Sequence, residues 1–148
     1  MNYQEYKECY SSKVIFGDPK IRKVTKVFFK ADEIVNEKDM IVFYPKNVFL
    51  DDKQFELFLF CTNRCMVNVK IDDDEQYFII RYIKIDDIYK IELKESVKDK
   101  DEKILNINLK NGESIEFNSK NDTNQYHKVI FASLIDEIIK YIIEFPDK

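Results

Sequence analysis

The sequence predicts a mainly β domain of the α+β class. About seven antiparallel strands close into a small barrel, with a helix added before them and a second helix after them that caps the barrel. Three observations predict it. Apolar residues alternate at period two through the middle of the 148-residue chain. Two short segments, Cys61-Thr62-Asn63-Arg64-Cys65 and Asn111-Gly112, read as hairpin turns. Helical spacing of apolar residues is confined to the two ends.

Residues 1–18 are polar and aperiodic and read as a partly ordered leader. Asp18-Pro19 opens a helix over 19–36, with an acid at the N-cap and proline in the first turn, where its missing N–H does no harm. Ile21, Val24, Phe28, Ala31 and Val35 form its apolar face, and Lys20, Lys23, Lys26 and Lys30 lie on the other. Residues 40–118 form the barrel. Its first strand, 40–50, carries Pro45, which belongs at an edge, bulge or break.

The best patterned stretch is Phe55–Ile71. Folding it about Thr62-Asn63-Arg64 sets Cys61 opposite Cys65, Leu59 opposite Val67, Leu57 opposite Val69 and Phe55 opposite Ile71. All four pairs on that face are apolar, and a one-residue slip would turn that face outward. Asn63 is the expected left-handed residue of the turn. Strands follow at 77–85, 88–93, 105–110 and 113–118, broken by Asp86-Asp87, the charged segment 94–103 and Asn111-Gly112. Asn121-Asp122-Thr123 supplies caps for a final helix over 123–145, ended by Pro146. Residues 19–148 thus read as one domain.

Composition excludes several functions. Two glycines in the whole chain leave no Gly-rich phosphate loop. No run approaches the roughly 18 apolar residues of a membrane span. The start has no apolar run behind a basic segment, so it is not read as a signal peptide. Three cysteines fit reduced thiols in a cytoplasmic protein better than a disulfide framework. The net charge is −4. Residues 1–30 carry seven basic residues (Lys7, Lys13, Lys20, Arg22, Lys23, Lys26, Lys30) against three acids (Glu5, Glu8, Asp18), a net +4, which leaves −8 for the remainder. That acidic body disfavours non-specific nucleic-acid binding.

Three segments together resemble the bacterial pleckstrin-homology-like group, which includes the GRAM-like domains. Phe58–Val69 is similar to its strand–Thr-Asn–strand hairpin. Tyr82–Leu93 resembles its strand, acidic break and following strand. Leu105–Phe117 resembles its strand, Asn-Gly turn and strand before a terminal helix. The resemblance covers about residues 40–145 and implies a capped barrel that binds rather than catalyses. One position departs: the group's pattern runs Thr-Asn-basic-Arg, whereas this chain has Thr62-Asn63-Arg64-Cys65. The second basic residue is missing, so an anion-binding role is not carried over to this turn.

The residues read singly give no catalytic, cofactor or metal site. A structural zinc needs four ligands, commonly two close pairs; here Cys61 and Cys65 stand with a distant Cys9 and the lone His127. A redox pair belongs at a helix start rather than in a hairpin. The two cysteines therefore read as small core residues with free thiols. No motif sets a nucleophile beside His127, which reads as a helix contact residue. Asp72-Asp73-Asp74-Glu75 lacks the alternation and the glycine of a calcium loop and reads as a solvated turn. Asp32 and Glu33 dilute the lysine face of helix 19–36.

The terminal helix carries one apolar stripe to seat it, namely Ile130, Phe131, Leu134, Ile135, Ile138, Tyr141, Ile142 and Phe145. Val129, Ala132, Ile139 and Ile143 form a second stripe, nearly opposite the first. Something is expected to cover that second stripe: a protein partner, with another copy of the chain a candidate, or the helix over 19–36. The expected function is a non-catalytic module acting through protein–protein contacts, without a cofactor and without a specific nucleic acid. The alternatives are a membrane-peripheral module for anionic lipid, a small acidic inhibitor or immunity-type protein, and a small enzyme with an unfamiliar site.

Overall fold

The fold, given by a computed structural model, is described for residues 2–13 and 19–144, and for the side chains of all of these except 9–13. It begins with α1 (Tyr3–Lys13), where the sequence reading placed a polar leader. The correction has a local cause. Asn2 Oδ1 accepts the Glu5 N–H at 2.8 Å and caps the helix. Tyr3 and Tyr6, one turn apart, are both buried against the domain. The Tyr3 ring meets Phe28 and Phe43 edge-on, and the Tyr6 ring meets Phe43 and Phe49. Asp32 ties the pair of helices, accepting Tyr3 Oη at 2.8 Å and Lys7 Nζ at 2.7 Å.

Helix α2 (Pro19–Ile34) follows the predicted span; its expected cap, Asp18, lies outside the described residues. Its apolar face, Val24, Val27, Phe28 and Ala31, is fully buried and lies on the sheet. It is therefore internal and does not reach across to cover the terminal helix.

Seven antiparallel strands make two sheets. β1 (Met40–Lys46), β2 (Glu56–Cys61), β3 (Cys65–Ile71) and β4 (Phe78–Lys84) form the first, in that order. β5 (Ile88–Glu95), β6 (Lys103–Leu109) and β7 (Ser114–Asn118) form the second. Pro45 sits in β1 opposite Leu57, and β1 is an edge strand, where a missing N–H is tolerated. The β2–β3 register is the one the alternation predicts, with Cys61 opposite Cys65, Leu59 opposite Val67 and Leu57 opposite Val69.

Both faces of β2 are buried, which the alternation alone does not show. Leu57 and Leu59 face the helices. Phe58 and Phe60 face the second sheet and the terminal helix, where they meet Phe117 and Tyr141. The near-continuous apolar run of β2 is that of a strand covered on both sides.

The two tight hairpins share one loop design. Thr62-Asn63-Arg64 is closed by the Arg64 N–H on the Cys61 carbonyl, and Lys110-Asn111-Gly112 by the Gly112 N–H on the Leu109 carbonyl. In each, the third residue is left-handed, Arg64 at φ 58° and Gly112 at φ 94°. This is the geometry of three-residue hairpin loops, so Arg64 rather than Asn63 takes the positive φ.

The last helix, α3 (Lys128–Glu144), follows a 3-10 turn at Gln125–His127. Its cap is Asn124, whose Oδ1 accepts the Tyr126 and His127 N–H groups. The expected cap residue Asp122 is buried instead and bonded to β1 and β7. Phe131 packs on Tyr44 and Tyr141 on Phe60, and Tyr141 Oη donates to the Cys61 carbonyl at 2.6 Å. These contacts seat the helix on the first sheet, and it also packs against β6 and β7 of the second.

Candidate protein-docking surface

The second stripe of α3 is not a continuous wet face. Val129 and Ile143 are 61% and 66% exposed, but Ala132 is 2% exposed and Ile139 is half-buried against the core. The cause stands in the middle of that stripe. Asp136 lies between Ala132 and Ile139 at helical spacing, and Lys103 Nζ, from the start of β6, binds both its oxygens at 2.7 and 2.8 Å. Glu95, at the end of β5, lies 3.5 Å from the same ammonium. The Asp136 hydrogen bond holds Lys103 above its usual pKa range, against the opposing effect of burial. This ion pair draws the middle of the stripe onto the second sheet. Of the four residues expected to need a cover, Ala132 and Ile139 are covered by the chain's own domain, and Val129 and Ile143 stand exposed.

The structure groups Val129 with Ile130, which the sequence assigns to the seating stripe, and with Tyr126, which belongs to neither stripe. Tyr126, in the 3-10 turn, and Val129 and Ile130, in the first turn of α3, stand at i, i+3 and i+4, exposed by 81%, 61% and 36%. The rest of the seating stripe is buried from Phe131 to Tyr141, with Ile142 half-buried and Phe145 outside the described residues. The patch rests on a fixed base. Asn124 caps the turn, His127 stacks on Phe49 with ring centroids 4.0 Å apart, and Lys128 pairs with Asp99 of the β5–β6 connection. The sequence predicts the helix from 123 with its cap at 121–123; the structure starts α3 at Lys128, after a 3-10 turn capped by Asn124.

The remaining candidates do not converge. Cys61 and Cys65 are free thiols on adjacent strands, and burial, reinforced by Cys65, pushes the Cys61 thiol up to about 12. His127 Nδ1 is 2.7 Å from Asn124 Oδ1. Asp72 Oδ1 accepts the Gln76 and Tyr77 N–H groups and serves its own turn. Among the described residues, no group of three His, Cys, Asp or Glu side chains is placed to hold a metal ion, and no helix is long and apolar enough to cross a membrane.

A cleft of about 480 Å³ opens between the start of α2, the β1–β2 loop and the β3–β4 turn. It mixes Lys20, Lys23 and Lys53 with Asp51, Asp52, Asp72 and Asp73. Lys20 Nζ donates to the Lys53 carbonyl and Lys53 Nζ to the Asn121 carbonyl, so these two ammonium groups are engaged in holding loops. On the lysine face of α2, Lys30 pairs with Glu33 and lies over the Phe78 ring, and Lys23 pairs with Glu75.

Fold and site together define an α+β domain of two antiparallel sheets closed by a terminal helix, with an apolar turn of that helix left open. Over residues 2–133 the chain matches the family described as "Protein of unknown function (DUF3908)", and it belongs to that family. The match runs from α1 into the first turns of α3 and so includes Tyr126, Val129 and Ile130. No curated protein and no solved structure matches the chain.

Proposed function

We propose that this chain is a non-catalytic binding module, similar in build to pleckstrin-homology-like domains, that engages a protein partner through the first turns of α3. The observation that carries this reading is the grouping of Tyr126, Val129 and Ile130 on a rigidly capped turn. Tyr126 and Val129 are held largely wet with the partly exposed Ile130 beside them; full burial of a large aliphatic side chain is worth roughly 1.5–3 kcal/mol, and a partner would recover the share still exposed. Tyrosine suits such a surface, having an apolar ring and a polar tip. The four-plus-three strand order with a terminal helix supports the likeness to pleckstrin-homology-like domains, and that likeness by itself names no partner. The engaged lysines of α2 favour protein over an anionic membrane surface.

The test is a quantitative capture from the native cell with the wild-type chain and with Tyr126→Ser/Val129→Ser, both checked for the same melting temperature. The reading expects a protein enriched by the wild type and lost with the double variant. A protein retained equally by both puts the contact on another surface. No enrichment by the wild type, together with sedimentation on anionic vesicles, would replace this reading with the lipid one.

A further inference from the structure

Four strands are sheet edges: β1, β4, β5 and β7. Among the described residues, β5 bonds through its backbone only to β6 along its length, and its outer edge meets no other strand. It is long and open, with Tyr89 75% and Leu93 41% exposed. An open edge of this kind is a template for another strand, and proteins commonly defend such edges with charge. A defensive edge needs one sign only. β5 alternates signs on one face, Lys90, Glu92 and Lys94, and Lys90 lies 4.0 Å from Glu92 along the strand. β4 carries Arg81 and Lys84 with no acid, β1 carries Lys46 alone and β7 Glu116 alone, so β5 is the edge that can match opposite charges with itself.

We infer that a second copy of this chain pairs with it along β5, antiparallel about a two-fold axis centred on Leu93, joining the two three-stranded sheets into one of six strands. The register follows from the side chains. A two-fold of this kind keeps each face on its own side and sets residues symmetrically about its centre. Centred on Glu92, it would oppose Glu92 to its own copy and Lys90 to Lys94, which is repulsive throughout. Centred on Ile91, it would oppose Lys90 to Glu92 but run into the bulge that sits between Ile88 and Lys90, where the ladder bends. Centred on Leu93, it uses the regular ladder from Ile91 to Glu95. Leu93 then meets Leu93, and Glu92 meets Lys94 twice. Ile91 lies against the stem of Glu95, whose carboxylate is drawn off toward Lys103.

A different surface carries this inference from the one that carries the proposed function, and the experiment separates the two. Sedimentation velocity of the full chain should give a dimer, twice the 17.8 kDa of one chain. Glu92→Lys opposes lysine to lysine twice and Lys94→Glu opposes glutamate to glutamate twice, so each alone should weaken dimerisation at least tenfold. The combined variant restores both pairs with their signs exchanged and should dimerise like the wild type. Both substitutions lie at exposed positions, and equal melting temperatures of the three variants' monomers check that each folds. Tyr126→Ser/Val129→Ser should leave the mass unchanged.

A wild-type chain that stays monomeric overturns the inference. So does a dimer indifferent to both single changes, or one broken by the α3 variant. A dimer broken by Glu92→Lys but intact in Lys94→Glu, with no rescue in the combination, overturns the Leu93 register in favour of Ile91.

Discussion

Tyr44 Oη donates to Asp122 Oδ2 at 2.8 Å, joining the first strand to the segment that enters the last helix, 78 residues on. The same oxygen accepts the Asn118 N–H at 2.7 Å, and Lys46 Nζ stands 3.8 Å from the other. This buried carboxylate fixes the corner from which α3 departs, and so positions the capped turn that carries Tyr126 and Val129.

Burial lifts the Asp122 carboxyl above its usual range, against the pull of Lys46 and of its hydrogen bonds. A folded value above the unfolded one means that the folded state holds its proton more tightly. The contribution to stability is fully present below the unfolded value of about 3.9. It is lost as pH rises through the folded value. Asp122→Asn keeps an acceptor for Tyr44 and Asn118 without the charge. It should be at least as stable as the wild type at pH 7, and the two should converge as pH falls toward 3.5. Asp122→Ala leaves a buried hydroxyl and a buried N–H unpaired, at about 1–3 kcal/mol each. Urea unfolding across pH measures all three. An Asp122→Asn chain less stable at neutral pH than at acid pH, relative to wild type, would mean that the Lys46 attraction outweighs burial.

The two hairpin loops differ in how easily their third residue bends. A Cβ placed on Gly112 would meet nothing within 4 Å, so its cost is purely that of the left-handed backbone at φ 94°. Gly112→Ala should therefore lose about 1–2 kcal/mol, read as a lowered urea midpoint with an unchanged slope. An equal stability would show that the loop relaxes to another turn.

The thiols should react in a fixed order. Cys61 is buried with its pKa pushed up to about 12, while Cys65 is half-buried and raised less. Since the thiolate is the reactive form, a disulfide reagent at pH 8 should modify Cys65 before Cys61, with Cys61 waiting for unfolding. Mass mapping of partly modified protein reads the order. Three thiols should titrate in the unfolded chain under non-reducing conditions; a single one would reveal a bridge.

The β2–β3 register was legible because only one pairing stacks Leu57, Leu59 and Cys61 on Val69, Val67 and Cys65. Its second buried face was less so, since Phe58 and Phe60 find Phe117 and Tyr141 across long stretches of chain. The split of the α3 stripe was hidden for the same reason. Asp136 reads as an ordinary wet residue until Lys103, 33 positions earlier, is brought against it. Asp122 looked like a cap because caps and buried carboxylates use the same residue type. Periodicity reports which face is apolar, and only tertiary structure reports what each face meets.

The start of the chain is the sharpest case. Residues 1–18 look aperiodic because α1 buries only two anchors among its described side chains, Tyr3 and Tyr6, on an otherwise polar helix. Yet Asn2-x-x-Glu5 is a capping pattern, and aromatics three apart share a helix face. A dispensable leader would tolerate any change at Tyr6. Here the Tyr6 ring is wholly buried between Phe43 and Phe49, and Phe49 in turn stacks on His127 beside the turn that carries Tyr126. Tyr6→Ala should lose about 3–5 kcal/mol, as large aromatic truncations in a core do. Tyr6→Phe should lose far less, since the rings and their contacts remain. Thermal melts of the two variants decide between anchor and leader. If Tyr6→Ala melts with the wild type, α1 does not hold the first sheet, and the base beneath Tyr126 and Val129 is set by Asn124 and the Lys128–Asp99 pair alone.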